Sequence, residues 1–168
     1  MAEREWLRQE DWYASLATSY VATGALITDP AGRVLLVKPN YRPYWAFPGG
    51  MLEHAEAPHA GCAREVREEL GLAVTIGPLL VAGWAPPLGQ RPRPIIYLLF
   101  DGGAVPADTQ VRLQHAELDD WAFVSAVEGA DLLDTLVADR LAAALRARRT
   151  GRTEYLPVEP ARPGPRPV

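Results

Sequence analysis

Gly49-Gly50-Met51-Leu52-Glu53-His54-Ala55-Glu56-Ala57-Pro58-His59-Ala60-Gly61-Cys62-Ala63-Arg64-Glu65-Val66-Arg67-Glu68-Glu69-Leu70-Gly71-Leu72 is a glycine turn that runs straight into an acidic helix. Pro58 suits a first helical position, where its missing N–H would be unpaired anyway, and Gly71 suits the left-handed residue that stops a helix. The helix is therefore expected over residues 58–70. At 3.6 residues per turn, Glu65, Glu68 and Glu69 share one face, while His59, Ala63, Val66 and Leu70 gather on another. Like charges three and four residues apart repel by about a few tenths of a kcal/mol per pair, so helix stability alone does not favour this pattern. A cation reverses the sign. Gly61, one turn before Glu65, has no side chain and is expected to leave room beside the carboxylates for a ligand or ion. Donors made only of oxygen select hard ions, Mg²⁺ or its substitute Mn²⁺. An acidic face of this kind taken by itself is ordinary solvated surface, so its neighbours decide the reading.

Those neighbours are Gly50, Glu56, Arg64, Glu65, Val66, Glu68, Glu69, Gly71 and Leu72, and at these spacings the segment resembles a complete Nudix box. The resemblance implies an α/β fold, an α/β/α sandwich with a mixed central sheet, and metal-dependent attack of water on a diphosphate bond. It implies that Glu65, Glu68 and Glu69 are metal ligands together with the Gly49 carbonyl, and that Glu56 and Arg64 form a structural ion pair. Such a pair would pin the helix start against the glycine turn. Glu65 and Glu68 are also catalytic candidates: carboxylates so close cannot all keep their free acidity, and one of the cluster can act as general base.

The chain has 168 residues, 48% of them hydrophobic, which suits one globular domain with a substantial core. We expect an N-terminal helical extension over residues 1–19, the catalytic domain over 20–149 and a Pro-rich tail over 150–168, extended or disordered from Glu159 to Val168. Apolar runs such as residues 95–100 are far shorter than the roughly 20 residues of a membrane span, and the N-terminus does not read as a secretory leader. The expectation is a soluble cytoplasmic protein that needs no membrane. A net charge of −4 argues against a nucleic-acid scaffold and is compatible with a small anionic substrate. The lone cysteine, Cys62, excludes an internal disulfide and reads as a packed thiol.

Residues 5–18 put Leu7, Trp12 and Leu16 on one side of a short helix, with Trp6 and Tyr13 near it. This helix has two destinations, its own sheet or a second subunit, so a homodimer is one expected outcome. Residues 22–28 and 34–38 form a hairpin across Asp29-Pro30-Ala31-Gly32. Strands are expected over 73–85 with a break at Gly77-Pro78, over 94–100 and over 120–125. Asp101-Gly102-Gly103 reads as a turn, and a single helix is expected over 131–147 with Leu132, Leu133, Leu136, Val137, Leu141 and Leu145 inward. Arg146, Arg148, Arg149 and Arg152 read as structural cations at its C-terminal end.

The remaining site residues come from loops. Arg42, Tyr44 and Trp45 precede the glycine turn and are substrate-binding candidates, with Tyr41 beside them; the alternative places Trp45 and Phe47 in the core. The Pro- and Arg-rich stretch 86–93 is either a phosphate-contacting tip or a solvated one. Glu117, with Asp119 and Asp120 as substitutes, is the candidate that positions water, aimed by its neighbour Leu118. His115 reads as a surface residue. The function expected is hydrolysis of a small-molecule nucleotide-type diphosphate, such as a nucleoside triphosphate or sugar nucleotide. The rivals are a nucleotide sensor without turnover and a Nudix-fold isoprenoid diphosphate isomerase. The intact carboxylates disfavour the first, and the place of Cys62 disfavours the second.

Overall fold

A computed structural model describes residues 8–158. Its centre is the mixed six-stranded sheet β5-β2-β1-β4-β3-β6, built from β1 (Tyr20–Thr28), β2 (Val34–Pro39), β3 (Leu79–Ala85), β4 (Ile95–Ala104), β5 (Leu118–Val124) and β6 (Glu154–Pro157). Strands β1 and β4, and β3 and β6, run parallel; the other neighbours are antiparallel. One face carries α2 (Pro58–Leu70), whose Cys62, Val66 and Leu70 pack on Ala25, Ile27, Leu35 and Val37. The other carries α4 (Thr135–Thr150), whose Leu141, Ala143, Ala144 and Ala147 pack with Leu26, Leu36, Val81 and Leu99. This is the α/β/α sandwich with a mixed sheet.

The hairpin forms, but β1 and β2 diverge after Thr28 pairs Val34. Residues 46–52 enter the gap. Val37 and Ala46 exchange backbone hydrogen bonds at 2.9 Å on the β2 side. On the other side the Ala25 and Thr23 N–H groups donate to the carbonyls of Pro48 (3.0 Å) and Gly50 (2.8 Å), and Leu52 N–H donates to Val21. The glycine turn is thus held as a surrogate strand, bonded to both neighbours.

Helix α2 spans Pro58–Leu70, with Pro at its start and Gly71 in the left-handed region at φ 68°. His59, in the first turn of the helix, is exposed and not among its buried residues Gly61, Cys62, Val66, Glu69 and Leu70. Several other expectations are corrected. Residues 73–78 are not strand: Gly77 and Pro78 bond to Asp101 in an irregular lead-in, and β3 starts at Leu79. Asp101-Gly102-Gly103 is no turn but the end of β4, where the β1 register shifts; a Cβ at Gly102 would lie 2.6 Å from Ile27 Cγ1. Glycine there admits a bulge inside the strand.

The single C-terminal helix is two. Ser125 and Glu128 form a capping box that starts α3 (Ala126–Leu132), and Asp134 caps α4 through the Leu136 N–H. Leu136 is consequently exposed, not inward. The sheet also continues beyond residue 149, where sequence reading places no strand: β6 pairs with β3 through Val81, Ala82, Gly83 and Trp84. The tail expectation for Glu159 to Val168 lies outside the described residues. Helix α1 (Gln9–Ser15) buries none of its residues, and Trp12, Tyr13 and Leu16 are exposed; Trp6 and Leu7 lie outside the described residues.

Of the terminal arginines, Arg146 pairs with Glu154, and Arg148 pairs with Asp101 while also donating to Thr28 Oγ1 and the Leu26 carbonyl. Arg148 therefore ties the end of α4 to β1 and β4 where their register shifts. Arg148→Met, which keeps most of the stem, is expected to lower unfolding free energy by about 2 kcal/mol, since it strands a half-buried aspartate and a carbonyl. A denaturant midpoint unchanged from wild type would remove Arg148 from this role.

Candidate functional site

Arg64 is the hub of the site. Its Nε and Nη2 meet Glu56 Oε1 and Oε2, both at 2.9 Å, a two-pronged pair across the loop. Nη1 reaches Glu65 (3.0 Å) and Glu68 (2.9 Å), and Nη2 also reaches the Met51 carbonyl at 3.2 Å. One guanidinium therefore fastens the loop to the helix and neutralises two of the clustered carboxylates. Glu56 is held down to a pKa of about 2, chiefly by its hydrogen bonds from Arg64.

Gly61 does not leave space for a ligand, contrary to the sequence expectation. A Cβ there would collide with the Leu52 side chain and lie 2.7 Å from Glu56 Oε2, so its bare Cα is what lets the Glu56–Arg64 pair close over the helix. Gly50 has the parallel function for Glu65, whose carboxylate would lie 2.6 Å from a Cβ at that position. Gly49, at φ 143°, is pressed onto the backbone of Thr23 and Gly24 in a conformation suited to glycine alone.

Glu69 is nearly sealed, at 6% exposure, and its Oε2 accepts the Gly49 N–H at 2.7 Å. Burial raises its pKa to about 8, helped by Glu65 and Glu117 and opposed by that hydrogen bond and by Arg42. Burial also raises Glu65, with Glu68 and Glu117 adding to the effect and Arg64 opposing it. Glu117 is thus close enough to act on both. It sits on an exposed turn behind Leu118, which is buried at 1% exposure, and Asn40 clamps that turn by bonding to the Glu117 and Ala116 carbonyls. Asp119 and Asp120 continue into β5 and are exposed, as is His115.

Among the described residues, no three of His, Cys, Asp and Glu are grouped to hold a metal ion; the carboxylates are engaged by Arg64 and the Gly49 amide instead. The donor chemistry nevertheless fits a hard cation. Two carboxylates are held half or fully buried beside a third and a fourth, against their own repulsion. The Pro48 and Gly50 carbonyls are taken up by β1, whereas the Gly49 carbonyl between them has no donor among the described residues.

Across the glycine turn, on the α4 face, lies a cavity of about 270 Å³. Arg42 and Tyr41 line it near the turn, with Phe47, Tyr97, Val137 and Arg140 deeper. Tyr44 and Trp45 are not among its lining residues. Tyr44 is exposed, and Trp45 packs against the α4-face core, its N–H donating to Leu132 at 3.1 Å. In the 86–93 stretch Arg91 is spent on the Pro86 and Arg93 carbonyls. Sequence reasoning missed Tyr97 and Arg140: each lies in an element read as core or cover, and the only signal was a cation inside an apolar helix pattern.

The depressed pKa of Glu56 gives a pH test. Its ion pair contributes stability that is fully present above the ordinary carboxylate pKa near 4.5 and is lost as pH falls through about 2. Glu56→Gln is expected to lower the melting temperature at pH 7, with the gap to wild type closing between pH 4.5 and 2; a pH-independent gap would contradict the pair.

Helix and strand placement agree with known proteins. A segment of 59 residues is 37% identical to a MutT-like protein of Streptomyces ambofaciens, covering 35% of this chain and 38% of that relative, so the match spans well under half of its length. Among solved structures, a MutT protein from Methanosarcina mazei superposes with a TM-score of 0.67 at 29% identity, over 80% of this chain and 99% of that one. An ADP-ribose pyrophosphatase from Streptococcus suis superposes at 0.60 with 21% identity, over 84% and 100%, a likeness of fold alone. The NUDIX domain pattern itself matches residues 18–145, and the chain belongs to the Nudix family.

Proposed function

We propose that the chain is a metal-dependent pyrophosphohydrolase that cleaves a diphosphate bond in a nucleoside diphosphate linked to another group, nucleoside triphosphates and sugar nucleotides included. The observation that carries this reading is the carboxylate cluster of α2, buried against the glycine turn and lacking enough positive charge of its own. Glu65, Glu68, Glu69 and the Gly49 carbonyl would hold Mg²⁺, or Mn²⁺ in its place. When bound, such an ion lowers the pKa of water and offsets the charge that builds on the leaving phosphate.

The chain's own groups supply the rest. Arg64, anchored by Glu56, keeps Glu65 and Glu68 facing one way. Glu117, on its clamped turn, accepts a proton from the attacking water and orients it. Arg42 lines the cavity beside Gly49 and Gly50, where it would meet a phosphate. Tyr44 is free to cover a bound sugar from the rim, while Trp45 serves by packing. Burial pushes the Cys62 thiol up to about 11, which suits a packed residue and disfavours an isomerase that needs a reactive cysteine.

Screening nucleotides for released phosphate or pyrophosphate with Mg²⁺ tests the reading directly. Glu68→Gln is expected to abolish turnover with the fold intact, and full wild-type turnover in excess chelator would refute the metal dependence. Glu117→Gln is expected to lower kcat by about tenfold or more with little change in KM, the pattern of a group acting in the transition state. A loss under about twofold, at normal stability, would remove Glu117 from the chemistry.

A further inference from the structure

Four arginines near the sheet have carboxylate partners: Arg33 with Asp29, Arg64 with Glu56, Arg146 with Glu154 and Arg148 with Asp101. Arg140 has neither an ion pair nor a hydrogen bond among the described residues, although it is half-buried in the cavity on the α4 face. Burial lowers its pKa, with Tyr97 and Asp134 opposing. A cation left unpaired at such a place is a cost to the fold unless a ligand uses it.

Two glycines build its seat. Gly83 on β3 stands opposite Tyr97 on β4, and a Cβ there would already touch Arg140 Nε at 3.4 Å. The bare Cα leaves the arginine clear space beside β3. On β1, a Cβ at Gly24 would collide with the Tyr97 hydroxyl, so that glycine gives the phenol its place. Arg140 Cζ then lies 4.3 Å from the centroid of the Tyr97 ring. This attraction draws on the cation's charge and leaves its N–H groups for another partner. Burial pushes the Tyr97 phenol up to about 12, so it keeps its proton.

We propose that Arg140 and the Tyr97 hydroxyl form a donor pair that reads the keto edge of a nucleobase, so that the cavity takes guanine or uracil nucleotides in preference to adenine nucleotides. The proposal rests on the pyrophosphohydrolase reading and names the substrate class of that site. A guanidinium fork matches adjacent acceptors such as O6 and N7 of guanine, and uracil offers carbonyl acceptors, whereas adenine presents an amino donor where guanine has O6. The volume agrees: about 270 Å³ is just under the roughly 300–1,000 Å³ of sites for small organic ligands, room for a base and part of its sugar. Under the proposed reaction the phosphates would lie at the turn, beside Arg42 and the cation that the carboxylates would hold.

Binding of the α,β-methylene analogues of GTP, UTP and ATP, measured by calorimetry with Mg²⁺ present, tests this without requiring turnover. The GTP or UTP analogue is expected to bind wild type about tenfold more tightly than the ATP analogue, the worth of one good bidentate contact. In Arg140→Met that preference should shrink below about threefold, and Tyr97→Phe should lose part of it. Arg140→Lys keeps the cation but not the fork; loss of base preference at a wild-type melting temperature would support the pairing even if Arg140→Met folds poorly. Equal or tighter binding of the ATP analogue by wild type, equal weakening of all three analogues in Arg140→Lys, or no binding of any analogue would overturn the proposal. Base preference without hydrolysis of any nucleotide would refute the proposed reaction and leave this inference standing; hydrolysis without base preference would do the reverse.

Discussion

The site depends on the insertion of residues 46–52 between two strands that would otherwise be neighbours. Opening β1 from β2 exposes two rows of backbone donors and acceptors, and buried groups of that kind cannot be left without partners. The inserted segment bonds to both strands, to β2 through Ala46 and to β1 through Pro48, Gly50 and Leu52, and so holds Gly49 between two anchored neighbours. The flexible-looking part of the sequence is therefore anchored, and α2 packs its carboxylates against a rigid edge. Gly49 spends its N–H on Glu69, Gly50 makes room for Glu65, and Gly61 makes room for Glu56. Three glycines with separate duties convert a turn and a helix into one polar compartment.

Arg64 sets the charge of that compartment. It binds Glu56, Glu65 and Glu68 at once and so offsets part of their mutual repulsion. Glu69 has no bond from Arg64; burial raises its pKa to about 8, and the Gly49 amide offsets only part of that rise. Holding acids in a low-dielectric place against their repulsion is a cost to folding, and functional sites are where such arrangements concentrate.

Much of this was legible in the chain. The helix limits followed from Pro58 and Gly71, whose backbone preferences act locally, and the acidic face followed from helical spacing. The core side of α2 was less so: His59 has the right phase but is exposed in the first turn, a tertiary fact. Gly102 and Gly103 resemble a turn in sequence and accommodate a bulge in space, since a glycine signals a need for room or a rare φ without saying which. The break between α3 and α4 was written in Ser125, Glu128 and Asp134, but the apolar period running across it masked the caps. Strand β6 offered no apolar signal, because four residues on a sheet edge are held mainly by backbone pairing to β3. Arg140 and Tyr97 come together from elements far apart in sequence, through two glycines whose purpose only the packing reveals.

The compartment with the carboxylates and the cavity with Arg140 lie on opposite faces of one sheet, divided by the backbone of the glycine turn. A ligand that reaches both must bend over that ridge, as a rope bends over a beam. The width of a polypeptide backbone then acts as a ruler. It would fix how many bonds separate a group held in the cavity from a bond presented to the acids. For a ligand held in that way, the position of any cleavage would be counted from the held end.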